Sequence, residues 1–193
     1  MKEILMKEIE TYYPQSKQQW REWLVTNHIQ KEAVWVIFYK QKTGKPTLTW
    51  SDAVDEALCF GWIDSVKKTL DEERFIQYFC KRKPKSTWSK VNKEKVEQLI
   101  AKGLMMQAGL DCIEIAKQNG SWEILDSVEA LIIPEDLEAA LQSHENAMDF
   151  FLSLSKSARK AMLHKLVFAK RQETRQKRIT QIIELVKKGM KPT

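Results

Sequence analysis

The chain has 193 residues, enough to bury a sizeable core, and 43% of them are hydrophobic, including seven tryptophans. This composition excludes an intrinsically disordered chain. The net charge of +6 is uneven, because residues 123–149 carry eight acidic and no basic side chains, whereas residues 150–193 carry twelve basic and two acidic ones. A basic end can attract anions, but we favour the simpler interpretation that the two segments contact each other.

The cysteines, Cys59, Cys80 and Cys112, are odd in number and form no Cys-x-x-Cys motif. We therefore expect no disulfide framework, and a reducing compartment fits. The first residues lack the apolar segment of a signal peptide, and no apolar run of 18 residues occurs, so we expect no membrane span. Together these features predict a cytoplasmic protein.

The predicted elements start with a short amphipathic helix in residues 1–13, and Ser16 is expected to cap a second helix. Residues 33–40 are β-branched or aromatic at most positions, on both faces, which indicates a central strand. Thr49 is followed three residues later by an aspartate, so it matches a capping box and begins a third helix. Gly61 fits the left-handed residue that commonly ends a helix.

Residues 63–70 and 74–82 are two extended runs around an acidic turn, which is typical of a β-hairpin. With residues 33–40 they predict a three-stranded antiparallel sheet, the smallest sheet expected to be stable. Two further helices follow before residue 120. The fold class predicted for this part is therefore α+β, with helices flanking the sheet.

Beyond residue 122 the sequence predicts helices alone. Pro134, Ser155 and Thr174 each fit the start of one, because proline, serine and threonine are favoured at helix N-termini. We therefore predict an α+β core in residues 1–122 and a helical C-terminal part in residues 123–193 that packs on it.

Several motifs occur in an order and at a spacing that resemble a known family. They are WREWL at 20–24, VWVIFYKQKTGKPTLTWSDAVDEALCFGWID at 34–64, KRKPKSTWSKVN at 81–92, the GL, AGL, AK and GSW positions within 103–122, and AKRQETRQKRI at 169–179. From about Gln15 to Lys188 the chain resembles the YdeI/OmpD-associated, or bacteriocin-protection, family of small bacterial proteins. The resemblance implies a cytoplasmic α+β protein with a helical C-terminal part. The family names reflect association with stress or bacteriocin tolerance and with an outer-membrane porin, so the resemblance implies no defined reaction.

One candidate site is the turn from helix to strand that contains Trp62 and Asp64. A carboxylate held beside an indole could bind a cationic or sugar-like ligand, or it could pair with Arg82 on the neighbouring strand. The alternative is a structural ion pair beside a core tryptophan, which we favour because buried ion pairs often serve structure.

The second candidate site is a basic loop that leads into a helix. The loop carries basic side chains, then hydroxyl and amide side chains near the predicted helix start, and one aromatic ring that could stack on a ligand. The candidate residues are Arg82, Lys85, Ser86, Trp88, Ser89 and Asn92. Helix N-termini attract anions through free N–H groups and the helix dipole, so the loop predicts a phosphate-like ligand. The alternative is a solvated loop in which Ser89 or Asn92 only caps the helix.

Other chemistries have less support. The three histidines are scattered, so no metal site and no cofactor are expected. The resemblance extends loosely to frataxin-like folds, which can bind iron through acidic helices, and the acidic residues that could do so here are Glu129, Glu135, Asp136, Glu138 and Asp149. The basic residues of 170–178 carry no DNA-binding or RNA-binding motif, so nucleic-acid binding is not expected beyond weak contact with the backbone.

We therefore predict a non-enzymatic cytoplasmic binding protein of stress or bacteriocin tolerance that recognises a small anion or a protein partner. The enzyme alternative is a pocket that uses Asp64 and Ser86 on an unidentified small substrate. A frataxin-like metal-handling protein and a weak nucleic-acid binder are the remaining alternatives.

Overall fold

The computed structural model describes residues 9–190. The chain forms two compact units: the first holds the residues up to Ser86 together with Val91–Ser121, and the second holds Thr87–Lys90 and the residues from Trp122 onward. The helix predicted in residues 1–13 lies largely outside the described residues. Its described part is a short strand, Thr11–Tyr12, so that part of the prediction is wrong.

The first unit is built on a mixed sheet. Within residues 9–190 the sheet has four strands, β1 (Thr11–Tyr12), β2 (Ala33–Tyr39), β3 (Trp62–Thr69) and β4 (Arg74–Lys81), in the order β1-β2-β4-β3. The predicted central strand and hairpin are confirmed, because β2 and β3 both pair antiparallel with β4. The prediction of a three-stranded, purely antiparallel sheet is wrong, since β1 pairs parallel with β2. Two residues cannot show a period-2 pattern, so only the pairing with β2 identifies this strand.

Four helices of the described chain accompany the sheet: α1 (Lys17–Asn27), α2 (Trp50–Cys59), α3 (Lys90–Ala101) and α4 (Gln107–Gln118). The predicted caps of the first two are confirmed. Ser16 Oγ accepts the backbone N–H of Gln19, and Thr49 Oγ1 accepts that of Asp52. Each cap satisfies a backbone donor that the first helical turn leaves without a partner.

One face of the sheet packs against α1 and α2 near the start of β3. Trp20 contacts Phe79 edge to face, with ring centroids 5.4 Å apart, and its indole N–H donates to the Ala53 carbonyl at 3.0 Å. Trp62 is fully buried there, and its indole N–H donates to the His28 carbonyl. The core of the first unit therefore includes the contact between these two helices and the face of the sheet that carries Phe79.

A β-bulge in β3 changes which side chains share a face. Asp64 pairs with Phe79, and after the register shift Lys67 pairs with Gln77. Phe79 and Gln77 are two residues apart on β4 and therefore lie on the same face. Asp64 and Lys67, three residues apart, would face opposite sides of a regular strand, so the bulge brings Lys67 to the face that carries Asp64 and Gln77.

The helix pair α2 and α4 meets at a glycine. A Cβ atom at Gly109 would lie 2.4 Å from the Cys59 carbonyl oxygen and 2.7 Å from that of Leu58. Glycine is therefore needed at this position because any side chain would push the two helices apart.

The second unit is helical over its described residues, with α5 (Asp126–Glu129), α6 (Glu135–Gln142), α7 (Ala147–Ser153), α8 (Lys156–Val167) and α9 (Gln172–Lys187). Its core consists of buried apolar side chains from all five: Val128, Leu137, Leu141, Ala147, Phe151, Leu154, Met162, Leu163, Leu166, Ile179, Ile182, Ile183 and Val186. Ser155 caps α8 by accepting the backbone N–H of Ala158, as predicted.

Two ion pairs link the acidic and basic segments within the second unit. Asp136 accepts two hydrogen bonds from the Arg175 guanidinium, at 2.5 and 2.8 Å, and the Glu129 carboxylate lies 2.5 Å from Lys160 Nζ. These pairs confirm the interpretation that residues 123–149 and the basic helices contact each other. The paired Arg–carboxylate geometry also orients α9 against the start of α6.

Candidate ligand site beside the sheet

The site is centred on Trp50, the first residue of α2. Helical spacing puts it in line with Ala53 and Val54, both of which are buried. Nevertheless 48% of Trp50 remains exposed. Its indole N–H donates to Asp64 Oδ2 at 2.9 Å, which holds the ring beside the sheet. An exposed tryptophan held by a hydrogen bond presents a rigid apolar surface to solvent.

Gln77 lies beneath this contact and is only 3% exposed. Its amide Nε2 donates to Asp64 Oδ2 at 3.0 Å and to the Ser65 carbonyl at 3.2 Å. Because a carboxylate and a carbonyl only accept hydrogen bonds, these partners fix the orientation of the amide. The oxygen of the same amide, Oε1, is buried without a hydrogen-bond partner among the described residues.

A buried acceptor without a donor is uncommon and costs about 1–3 kcal/mol, so each instance needs an explanation. At Gln77 the position of Oε1 follows from the fixed amide, and the residue lines an open cleft.

The cleft has a volume of about 280 Å³ and combines one exposed indole, one carboxylate, one amide, one ammonium and one phenyl ring: Trp50, Asp64, Gln77, Lys67 and Phe75. Lys67 Nζ lies 4.0 Å from the centroid of the Phe75 ring, a cation–π contact. Phe75 in turn stacks on Phe38, with centroids 5.0 Å apart. A second cleft of about 280 Å³ shares Trp50 and Phe75 and continues along residues 38–41 and 47–49.

This arrangement can hold a ring that has one apolar face and several hydroxyl groups. Trp50 offers the surface on which the apolar face would stack. Asp64 offers an acceptor, and Lys67 offers a donor that can move from its place over Phe75. A mostly apolar cleft with a few converging polar groups is typical of small-molecule sites.

The residues of the first predicted site lie in different surroundings. Trp62 is fully buried in the core, as the alternative of a core tryptophan predicted. Asp64 does lie beside an indole, but that indole belongs to Trp50. Arg82 is 8% exposed, and burial lowers its pKa to about 10, so its guanidinium remains charged at neutral pH.

The residues of the predicted anion loop are divided between the two units. Lys85 and Ser86 belong to the first unit, and the loop before them is held by hydrogen bonds from Asn119 and Ser121 to the Pro84 carbonyl, at 2.8 and 3.3 Å. Lys85 is exposed and Ser86 is half-buried. The anion site stays a prediction.

In the second unit Trp88 is buried and packs against Trp122, with ring centroids 5.0 Å apart. Helix α3 begins at Lys90, so Ser89 occupies the N-cap position. Asn92 lies inside the first turn of that helix, so of the two cap candidates only Ser89 precedes the helix.

The described residues contain no group of three or more His, Cys, Asp or Glu side chains that could hold a metal ion. Two members of the acidic set considered for iron, Glu129 and Asp136, are engaged in the ion pairs described above. Within residues 9–190 no helix is both long enough and apolar enough to cross a bilayer.

Comparison with protein families places the candidate site in a domain. Residues 12–112, more than half of the chain, match the model described as Domain of unknown function (DUF8412). The chain belongs to that family. Residues 130–189 match the model described as Bacteriocin-protection, YdeI or OmpD-Associated, which confirms the family resemblance seen in the motifs. Neither the curated proteins nor the solved structures gave a match. The DUF8412 domain therefore contains Trp50, Asp64 and Gln77, and the YdeI/OmpD-associated segment forms most of the second unit.

Sequence reasoning missed Trp50, Lys67 and Gln77 as site residues. The sequence pattern could have indicated Gln77, because it is a polar residue between Phe75 and Phe79 on one face of β4. No sequence pattern indicates Lys67, because the bulge that turns it toward Asp64 depends on pairing with β4.

Proposed function

We propose that this protein is a non-enzymatic cytoplasmic binding protein that contributes to stress or bacteriocin tolerance. Its ligand site is the cleft lined by Trp50, Asp64 and Gln77, and its ligand is a small polyhydroxylated ring of the sugar class. The first part of the proposal is supported by the bacteriocin-protection description of the family model that matches residues 130–189. The second part is supported by the geometry of the cleft.

The observation that carries the proposal is the exposure of Trp50. A tryptophan on the apolar stripe of a helix is normally buried, yet 48% of Trp50 faces solvent. Its N–H is hydrogen-bonded to Asp64 and its ring borders the cleft, so the exposed surface is held in one orientation. Such preorganisation reduces the entropy lost when a ligand binds.

The chemistry of the lining favours a ligand rich in hydroxyl groups over a simple anion. Asp64 presents a carboxylate acceptor, and a carboxylate repels an anion placed beside it. A hydroxyl group can donate to this carboxylate while another accepts from Lys67 in the same complex. The cleft therefore matches a neutral ring better than it matches phosphate.

The proposal is tested by titrating the full chain with neutral hexoses, an N-acetylated amino sugar and a free amino sugar. Tryptophan fluorescence should change on binding, and the change should disappear in Trp50→Ala. Asp64→Asn should weaken binding about tenfold, as expected for the loss of a charged hydrogen bond worth roughly 1.5 kcal/mol. Asp111→Asn, an exposed carboxylate outside the cleft, is the matched control and should bind like the parent.

The link to tolerance is tested in a bacteriocin-sensitive host. Expression of the parent chain should raise survival, and Trp50→Ala should remove the gain although the variant accumulates to the same level. Ile29→Ala, which changes another exposed apolar side chain of the first unit, should retain the gain. If Trp50→Ala protects as well as the parent, the cleft has no part in tolerance and the proposed site is wrong.

A further inference from the structure

A separate cleft lies within the YdeI/OmpD-associated segment, between α8, α9 and the residues that follow α9. Its volume is about 370 Å³. The apolar part of its lining comes from both helices and from the chain beyond α9: Met162, Ile182, Leu185 and Met190. Met162 and Ile182 are buried core residues, so this floor is a continuation of the hydrophobic core that opens to solvent. Methionine side chains are flexible and adapt to ligands of irregular shape.

The rim of this cleft is predominantly cationic. Lys165, Arg178 and Lys188 lie around it, against a single carboxylate from Glu184. Arg178 donates a hydrogen bond to the Lys165 carbonyl at the end of α8, which holds its guanidinium at the rim. The side chains of Lys165 and Lys188 are exposed and can move toward a bound group.

We propose that this cleft binds an amphiphilic anion, namely a carboxylate or sulfate carried on an unbranched alkyl chain. The alkyl chain lies on the floor formed by Met162 and Leu185, and the charged end lies among the rim cations. Burial of each methylene contributes to binding, while a cationic rim selects the charge of the head group.

The size of the cleft favours a small molecule over a protein partner. Ligand pockets measure about 300–1,000 Å³, so 370 Å³ is sufficient for one short amphiphile. A stable protein interface buries roughly 800 Å² on each partner, which is far more than such a cleft offers. The proposal does not depend on the sugar site, because the two clefts have no lining residue in common.

The experiment uses decanoate as the probe and decyltrimethylammonium as its matched cation of equal chain length, both below the concentration at which they form micelles. The full chain is labelled with ¹³C in its methionine methyl groups, of which the sequence has seven. Decanoate should shift the Met162 and Met190 signals in a saturable way and leave those of Met105 and Met106, in the first unit, unchanged. Decyltrimethylammonium should bind at least tenfold more weakly, because the rim repels it.

Two pairs of variants separate the cleft from general effects. Lys188→Glu should weaken decanoate binding about fivefold or more, whereas Lys187→Glu, which changes the net charge equally at a position outside the cleft, should not. Leu185→Gln, at a half-buried floor position, should weaken binding similarly, whereas Leu152→Gln, at an exposed position of α7, should not.

The proposal is overturned if both amphiphiles shift the Met162 signal equally, which would indicate a purely apolar surface. It is also overturned if Lys187→Glu and Lys188→Glu weaken binding to the same extent, which would indicate attraction by net charge alone. If decanoate leaves Met162 and Met190 unchanged, the cleft does not take an amphiphilic anion.

Discussion

Replacing Gln77 by methionine tests whether its buried amide serves a ligand or the fold. Methionine has a similar unbranched shape but no amide, so the change removes the two hydrogen bonds that Nε2 donates to Asp64 and Ser65. Their loss should cost roughly 2.5 kcal/mol, about 1.5 kcal/mol for the bond to the charged Asp64 and about 1 kcal/mol for the bond to the Ser65 carbonyl. The change also removes the unsatisfied Oε1, which regains about 1–3 kcal/mol, and buries a methyl group worth about 0.8 kcal/mol. We therefore expect the free energy of unfolding to change by no more than about 1 kcal/mol in either direction.

Urea unfolding followed by circular dichroism measures this change, with Gln98→Met at an exposed position of α3 as the control. The same variant should weaken sugar binding at least tenfold, because Gln77 no longer holds the Asp64 carboxylate, although the free energy of unfolding is nearly unchanged. A loss of more than about 2 kcal/mol would refute the reasoning, because it would mean that Oε1 already has a donor in the folded protein and that the amide is structural.

Three further predictions concern other parts of the chain. Gly109→Ala should destabilise the first unit by about 2 kcal/mol or more, because the alanine Cβ would lie 2.4 Å from the Cys59 carbonyl oxygen. Thermal unfolding measures this loss, and an unchanged melting temperature would contradict the close packing of α2 and α4. The hydrogen bonds from Arg175 lower the pKa of Asp136 below its usual value, so the pair contributes stability at neutral pH that is lost as the pH falls through the folded-state pKa. Asp136→Asn should therefore reduce the urea midpoint at pH 7 and have progressively less effect as the pH falls below the usual aspartate pKa, and an effect that is the same at every pH would exclude the ion pair as the cause. If the basic loop binds anions, phosphate should raise the melting temperature above that in chloride at equal ionic strength, and Lys85→Ala should make this increase smaller. If the increase is the same in Lys85→Ala, the loop is not an anion site.

The parts of the fold that were predictable depend on residues close together in the chain. The Ser16, Thr49 and Ser155 caps each join a side chain to a backbone N–H three residues later, so the pattern is visible in a short segment. The hairpin of β3 and β4 is visible for the same reason, because its two strands are joined by a short turn. The strand Thr11–Tyr12 was missed because nothing in two residues distinguishes a strand from a loop.

The candidate site was only partly predictable, since its members come from three separated elements. Asp64 could be singled out from the sequence as a polar residue at a helix-to-strand turn. Its contacts with Trp50 and Gln77, fourteen and thirteen residues away, arise from the packing of α2 and the pairing of β3 with β4. A hydrogen bond of this kind leaves no periodic signal in either partner.

By itself the sequence determined the central strand, the hairpin and the capped helices, because caps, turns and apolar periodicity act over a few residues. It also carried the family motifs, which the match over residues 130–189 confirms. Tertiary structure alone decided that Trp50 remains exposed, that the bulge turns Lys67 toward Asp64, and that α8 and α9 leave a basic-rimmed cleft open. The physical reason is that side-chain exposure, strand register and cavities depend on which distant residues pack together. That packing is determined by the free energy of the whole folded unit.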